Sequence, residues 1–263
     1  MTKKTEALNG WFKTRVPGFD ELLEHGIPRG KNILVAGGPG TGKTIFCLQT
    51  LYNAARNGER VLYITMEESP TSLSAHMRAF GWRFKENSIG DHQLRLSVGN
   101  GQMVIERKDP FKIARSVEGL LAKAEGRLRI RPDALPEIIP RDYAPSVVAL
   151  DSITALQSAF VGRPESYRIY IEQLFRLFER IKATTFLITE TEEAPKRFSP
   201  TGVEEFLADG VIVLYYLKMR DTRVRAIEVL KLRGARHESS VVPFSITSRG
   251  IEVFPTERVY EFA

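Results

Sequence analysis

The segment Ala36-Gly-Gly-Pro-Gly-Thr-Gly-Lys-Thr-Ile45 constrains this chain more than any other stretch. Gly37, Gly42, Lys43 and Thr44 satisfy the spacing G-x-x-x-x-G-K-[ST]. Glycines let consecutive backbone N–H groups turn inward on phosphate oxygens without a Cβ clash. A helix starting near Lys43 adds the positive end of its dipole to that field. The phosphate contacts therefore fall to Gly38, Pro39, Gly40, Thr41, Gly42, Lys43, Thr44 and Ile45. Lys43 can reach the β- and γ-phosphates, and the Thr44 hydroxyl can serve Mg2+. Context agrees: the apolar run Lys31–Ala36 precedes the loop as a buried strand, and Lys43–Asn57 follows as a helix closed by Gly58.

Strand then helix recurs along the chain. Val61–Met66 is a second strand, and Ser69–Phe80 a helix capped by Ser69 with Pro70 in its first turn. Leu94–Val98 has strand character, and Asp109-Pro110 opens a helix running to about Glu125. Val147–Leu150 and Thr185–Thr189 are a third and a fourth buried strand. Between them Tyr167, Tyr170, Ile171, Leu174, Phe175, Phe178 and Ile181 recur at helical spacing, with Arg168, Glu172, Arg176, Glu179 and Arg180 on the other face. That aromatic stripe is core packing. From Val211 the pattern changes to four strand-like runs, Val211–Leu217, Val224–Leu232, Val241–Ile246 and Ile251–Phe254, without helices between them. The expected fold class is α/β: a mainly parallel sheet flanked by helices and extended by C-terminal antiparallel strands. Residues 1–14 read as a tail and 15–263 as one domain; Gly126–Pro145, with four prolines and alternating arginines, reads as a surface insertion.

Composition excludes other classes. One cysteine, Cys47, rules out a disulfide framework and a cysteine-based zinc site within one chain; in the helix after the loop it reads as a small core residue. Apolar runs such as Gly210–Leu217 fall short of the ~18 residues a membrane span needs, and the polar N-terminus lacks a secretory h-region. The expectation is a cytoplasmic protein without membrane contact. Lys+Arg exceed Asp+Glu by 38 to 32, a net +6. That mild excess suits a protein handling phosphates or nucleic acid, and suits equally a solvated surface.

A Mg2+ nucleotide site needs a carboxylate at the end of a neighbouring strand. Val147-Val-Ala-Leu-Asp151-Ser152 supplies one: four apolar residues, then an acid at the tip facing the ligand crevice. Asp151 would hold the metal through water. Glu67-Glu68 end the second strand. Either they position or deprotonate an attacking water, or they are a solvated pair at the next helix.

Together these residues resemble the KaiC-like branch of the RecA-type ATPases. The resemblance runs over nearly the whole chain. It covers Thr14-Arg-Val-Pro-Gly-Phe-Asp-Glu-Leu-Leu, Gly26-Ile-Pro-Arg-Gly, the phosphate loop, Tyr63-Ile-Thr-Met-Glu-Glu-Ser-Pro70 and Ala149-Leu-Asp-Ser-Ile-Thr-Ala-Leu156. It continues through Thr185-Phe-Leu-Ile-Thr-Glu190, Gly202-Val-Glu-Glu-Phe-Leu-Ala-Asp-Gly210 and Ile227-Glu-Val-Leu-Lys-Leu-Arg-Gly234 to His237.

The resemblance implies a RecA-like P-loop core, with Mg2+-dependent ATP hydrolysis at subunit interfaces of a hexameric ring. It gives Glu67 and Glu68 to catalysis, aims Lys231 and Arg233 at the neighbour's nucleotide, and puts His237 against the nucleotide. It turns Gln157–Ser166, with Arg163, and Thr191–Val203, with Lys196, Arg197 and Phe198, towards the ring axis, where they could grip single-stranded nucleic acid. Glu165, Glu192 and Glu193 oppose that role. Where two-domain members carry a phosphorylated Ser-Thr pair, this chain has Glu205 and Phe206, so autokinase activity is not expected there; Ser199 and Thr201 are the nearby hydroxyls. Three functions stay open: a regulatory or scaffold ATPase, a recombinase-paralogue that binds single-stranded DNA, and a nucleotide-binding regulator with little hydrolysis.

Overall fold

Short runs of Val, Ile and Leu without polar interruption bury both faces of a strand, and here they form the middle of one sheet. The computed structural model describes residues 10–88, 92–123, 138–192, 197–219 and 222–259. In chain order the strands are β1 (Trp11–Phe12), β2 (Ile27–Pro28), β3 (Asn32–Gly37), β4 (Arg60–Thr65), β5 (Lys85–Ser88), β6 (Gln93–Val98), β7 (Gly101–Arg107), β8 (Val147–Asp151), β9 (Thr184–Glu190), β10 (Gly210–Met219), β11 (Thr222–Leu232), β12 (Val242–Thr247) and β13 (Gly250–Val253). The helices are α1 (Lys43–Arg56), α2 (Pro70–Ala79), α3 (Pro110–Lys123), α4 (Ile153–Ala159), α5 (Pro164–Ile181) and α6 (Val203–Leu207).

β1 and β2 pair by themselves; the other eleven strands form one sheet in the order β13-β12-β11-β10-β3-β9-β8-β4-β7-β6-β5. From β10 to β7 the neighbours run parallel, and both flanks are antiparallel. The sheet is the expected α/β arrangement. Its parallel strands β3, β4, β8 and β9 all end on one edge, which places Gly37, Thr65, Asp151 and Glu190 side by side.

Two apolar layers cover the sheet. On one face Phe46, Leu51 and Leu73 of α1 and α2 pack on Val35, Tyr63 and Ile188. On the other, Val117, Leu156, Tyr170, Leu174 and Phe178 of α3, α4 and α5 pack on Leu34, Leu62, Leu150 and Leu187. The aromatic stripe of α5 is thus core, except for Ile181 at its C-terminal end, which is exposed. Capping follows the sequence: Ser69 Oγ accepts from Ser72 N (3.1 Å), and Asp109 Oδ1 accepts from Phe111 N (2.9 Å) and Lys112 N (3.2 Å).

Three features depart from expectation. The end of the expected tail 1–14 is part of the fold: Trp11–Phe12 pair with β2, and Phe12 and Thr14 are fully buried, because Phe12 packs into the core beside Phe186. β7 completes the parallel core beside β4, although Gly101-Gln-Met-Val-Ile-Glu-Arg carries only three consecutive apolar residues. The expected surface excursion 126–145 is also not all surface. Residues 126–137 lie outside the described residues, but Ile138 and Tyr143 are buried, and the Tyr143 hydroxyl donates to Val61 O and Gln102 O (both 3.1 Å). This segment closes the α3 side of the core over the starts of β4 and β7. Among the described residues no helix is long and apolar enough to cross a membrane.

Candidate functional site

The loop between β3 and α1 has two distinct glycine requirements. A Cβ on Gly37 would lie 2.4 Å from Leu214 O, so the neighbouring strand demands its absence. Gly40 and Gly42, at φ +71° and +105°, instead need the left-handed region. Inside the loop, Lys43 is buried and its Nζ donates to Gly38 O (2.8 Å), as does Thr41 Oγ1 (2.9 Å). Burial lowers the Lys43 pKa, opposed by the carboxylates of Glu190, Asp151 and Glu67. The three carboxylates favour the charged ammonium against the cost of its burial.

Asp151 stands where its strand points it. Its Oδ2 accepts from Thr44 Oγ1 (2.8 Å) and from the buried Tyr63 hydroxyl (2.6 Å). Burial raises the Asp151 pKa, while these two hydrogen bonds pull it back. Next door, Ser152 Oγ accepts from Ala155 N (3.1 Å), capping α4, and donates to Glu67 Oε1 (2.9 Å). Thr44, Asp151, Ser152 and Glu67 therefore form one chain of polar contacts across the ends of α1, β8 and β4.

The adjacent glutamates diverge. Glu68 Oε2 accepts from Ser72 Oγ (2.8 Å) and lies 3.6 Å from His76 Nδ1, so it serves the start of α2. Thr65 Oγ1 holds both backbone N–H groups, of Glu67 (3.3 Å) and Glu68 (3.1 Å). Glu67, the more exposed of the two, instead takes its hydrogen bond from Ser152 on β8's side of the crevice.

Three neighbours of the loop were not singled out as site residues. Glu190 ends β9; its N–H donates to Thr154 Oγ1 (2.9 Å), and Thr191 N donates to Gly37 O (3.1 Å). The pattern that revealed Asp151, an apolar run with an acid at its tip, was present in Thr185-Phe-Leu-Ile-Thr-Glu190 as well. Tyr63 supports Asp151 from the middle of β4. Arg225 Nη2 donates to Gly40 O (3.4 Å) while its guanidinium lies 4.3 Å from the Tyr216 ring centroid, so β10 and β11 brace the loop. Beside the loop a cavity of about 610 Å³ is lined by Pro39, Glu190, Thr191, Glu192, Arg197 and Ser199.

Lys231, Arg233 and His237 are not brought to this loop. Gly37 lies opposite Leu214, whereas Lys231 lies opposite Val211. Strand rise and spacing then put Lys231 about 14 Å from Gly37, towards the other end of the sheet. Its Nζ donates to Glu205 O (2.9 Å) and Ala208 O (2.7 Å), and Arg233 Nη2 donates to Phe206 O (3.2 Å). His237 Nδ1 lies 3.1 Å from Glu238 O. Of the residues expected at a ring axis, Arg163 is ion-paired with Glu118, Lys196 lies outside the described residues, and Arg197 is exposed. The Glu205 carboxylate accepts from Phe198 N and Ser199 Oγ, while buried Glu204 accepts from Tyr167 OH and from Thr201 Oγ1 (2.8 Å).

A glycine loop between a buried parallel strand and a helix, flanked by acid-tipped parallel strands, defines a P-loop protein with a RecA-like fold. More closely, the chain belongs to the KaiC ATPase family: the profile described as "ATPase: KaiC" matches residues 12–258. A UPF0273 protein of Aeropyrum pernix is 32% identical over 249 residues, 94% of either chain, and one of Thermotoga maritima is 31% identical over 246 residues, 93% of this chain and 96% of its own. The circadian clock oscillator protein KaiC of Picosynechococcus is 32% identical over 265 residues, 97% of this chain; the chain spans about half of that relative (48%). Among solved structures, a KaiC-like protein from Pyrococcus horikoshii OT3 superimposes with TM-score 0.68 at 28% identity, covering 92% of this chain and 98% of its own. These relatives are KaiC and UPF0273 proteins, which removes support from the recombinase-paralogue reading.

Proposed function

We propose that this protein binds Mg·ATP at the loop and hydrolyses it, with Lys231 and Arg233 of a second copy completing each site in a ring, and that it acts as a regulatory or scaffold ATPase. One observation carries the reading: the contact chain Thr44–Asp151, Ser152–Glu67 lies beside Lys43 at the ends of parallel strands. The Thr44 hydroxyl and Asp151 carboxylate are hard oxygen donors already aligned on each other, the donor set a small divalent cation takes together with waters. Bound there, Mg2+ would neutralise phosphate charge.

The chain's own groups do the rest. Lys43 exchanges Gly38 O for a phosphate oxygen. Glu67, oriented by Ser152, accepts the proton of the attacking water, and Glu190 adds a carboxylate beside Lys43. Glu68 supports the geometry of this turn. Because Lys231 and Arg233 point away from their own loop, a neighbouring copy is the natural recipient of their charge, which would stabilise the developing γ-phosphate charge; His237 accompanies them. Nucleic-acid contact through Arg163, Lys196 and Arg197 has less support, since Arg163 is paired with Glu118.

The test is calorimetric binding of ATP with and without Mg2+, alongside phosphate release. Lys43→Ala should weaken binding at least ~10-fold by removing a charge-assisted contact, and omission of Mg2+ should abolish release. Unchanged binding by Lys43→Ala would remove the loop from nucleotide recognition.

A further inference from the structure

On the far side of Glu67 from the loop, a second cavity of about 610 Å³ lies between the tips of β4 and β7 and the first turn of α3. Met66, Phe111 and Ile113 give it an apolar wall, and Arg107, Lys112 and His92 a basic one. Its volume is that of a small-molecule pocket, ~300–1,000 Å³. A docked protein would instead cover ~800 Å² of surface.

The charges on this wall are not all free. Lys108 is neutralised by Glu106, at 2.6 Å. Asp109, the acid among the described lining residues, is turned into the helix, where its Oδ1 accepts from Phe111 N (2.9 Å) and Lys112 N (3.2 Å). The start of α3 is thereby already capped and offers a ligand little. Arg107 and Lys112 remain. Among the described residues neither has an ion-pair partner, and Arg107 Nη2 makes a long contact to a neutral group, Glu67 O at 3.4 Å. Two unpaired cations against one acid leave the wall net positive. Phe111 adds a flat apolar surface: it is 59% exposed, while Ile113, Ala114 and Val117 of the same helix are buried, so core packing does not account for a ring at this position.

A phosphate takes charge-assisted hydrogen bonds from a guanidinium and an ammonium, and a planar base stacks on an aromatic face. We propose that the cavity bounded by Met66, Arg107, Phe111 and Lys112 binds a nucleoside phosphate, separately from any nucleotide at the loop, with the base on Phe111 and the phosphate between Arg107 and Lys112. A free nucleotide and a nucleotide within a single strand offer the same chemistry. Binding here does not depend on hydrolysis at the loop.

Phe111→Trp keeps a flat ring and reports stacking through quenching of its emission, read against wild type, whose Trp11 and Trp82 give the background. Titrating the full chain with AMP in magnesium-free buffer should quench it saturably. Arg107→Ala and Lys112→Ala should each weaken the binding ~10-fold by removing a charge-assisted contact, whereas Lys43→Ala, at the loop, should leave the quenching intact. A short oligo(dA) that binds more tightly than AMP identifies a strand as the source of the nucleotide; one that binds equally or less tightly identifies a free nucleotide. In Lys43→Ala protein, equilibrium dialysis with radiolabelled AMP reads the cavity without a reporter, and adding Phe111→Ala should weaken that binding ~10-fold. Four results overturn the proposal: no saturable quenching by AMP or oligo(dA), quenching lost with Lys43→Ala, binding indifferent to both Arg107→Ala and Lys112→Ala, or inorganic phosphate binding as tightly as AMP. Each leaves hydrolysis at the loop standing, because phosphate release measures that separately.

Discussion

Consider equal amounts of Lys43→Ala and Arg233→Ala subunits, mixed before assembly. Lys231 lies about 14 Å from Gly37 of its own chain by strand register, further than a lysine side chain spans, and both cations are directed at the carbonyls of Glu205, Phe206 and Ala208. Under the proposed sharing of sites, a working interface needs an intact loop from one copy and an intact Arg233 from the next. Each homogeneous variant has none: the first lacks Lys43 everywhere, and the second lacks the trans cation, whose removal in phosphoryl transfer costs ~10³–10⁵ in rate. In a random one-to-one ring, half of the loops and half of the fingers are intact, so about one interface in four carries both. The mixture should recover roughly a quarter of wild-type phosphate release, measured by a coupled assay, and wild-type specific activity should rise with protein concentration until assembly saturates. A mixture no more active than the mean of the two variants would refute sharing in trans. So would constant specific activity of a species shown by light scattering to be a monomer.

Other expectations follow from single contacts. Glu67→Gln should preserve ATP binding and slow turnover by ~10²–10⁴, while Glu68→Gln, whose carboxylate serves Ser72 and His76, should slow it less; equal effects in single-turnover assays would contradict this division. Tyr167→Phe should lose ~1–3 kcal/mol in urea unfolding, because buried Glu204 then keeps Thr201 without Tyr167; an unchanged midpoint would refute it. At the far end of the sheet, burial pushes Glu59 up, but the hydrogen bonds from Arg29 and Ser146 bring it below the ordinary carboxylate value. A depressed folded pKa stabilises the protein above about pH 4.3 and loses that contribution as pH falls through the folded value. Glu59→Gln should therefore be less stable than wild type near neutral pH and converge with it in acid; a gap that persists in acid would refute the assignment.

Local order was legible wherever a few neighbouring residues decide it. Gly37 to Thr44 specify a phosphate loop, Ser69 and Asp109 cap their helices through their own next turns, and four apolar residues ending in Asp151 announce a buried strand with an acid at its tip. Each depends on contacts within about one turn or one strand, which the chain cannot rearrange without breaking its own spacing. Pairing was not legible. β7 earns its central place because β4 offers a free parallel edge, and Tyr143 is buried because β4 and β7 leave carbonyls that its hydroxyl can reach. The divergence of Glu67 from Glu68 depends on which partner, Ser152 or Ser72, the turn brings near. Glu190 meets Lys43 only because β9 lies against β3. That Lys231 and Arg233 face away from their own loop follows from the register of β10 on β3 and of β11 on β10. Sequence spacing determined which residues share a strand; hydrogen-bonded register between strands distant in sequence decided which end of the sheet each one serves.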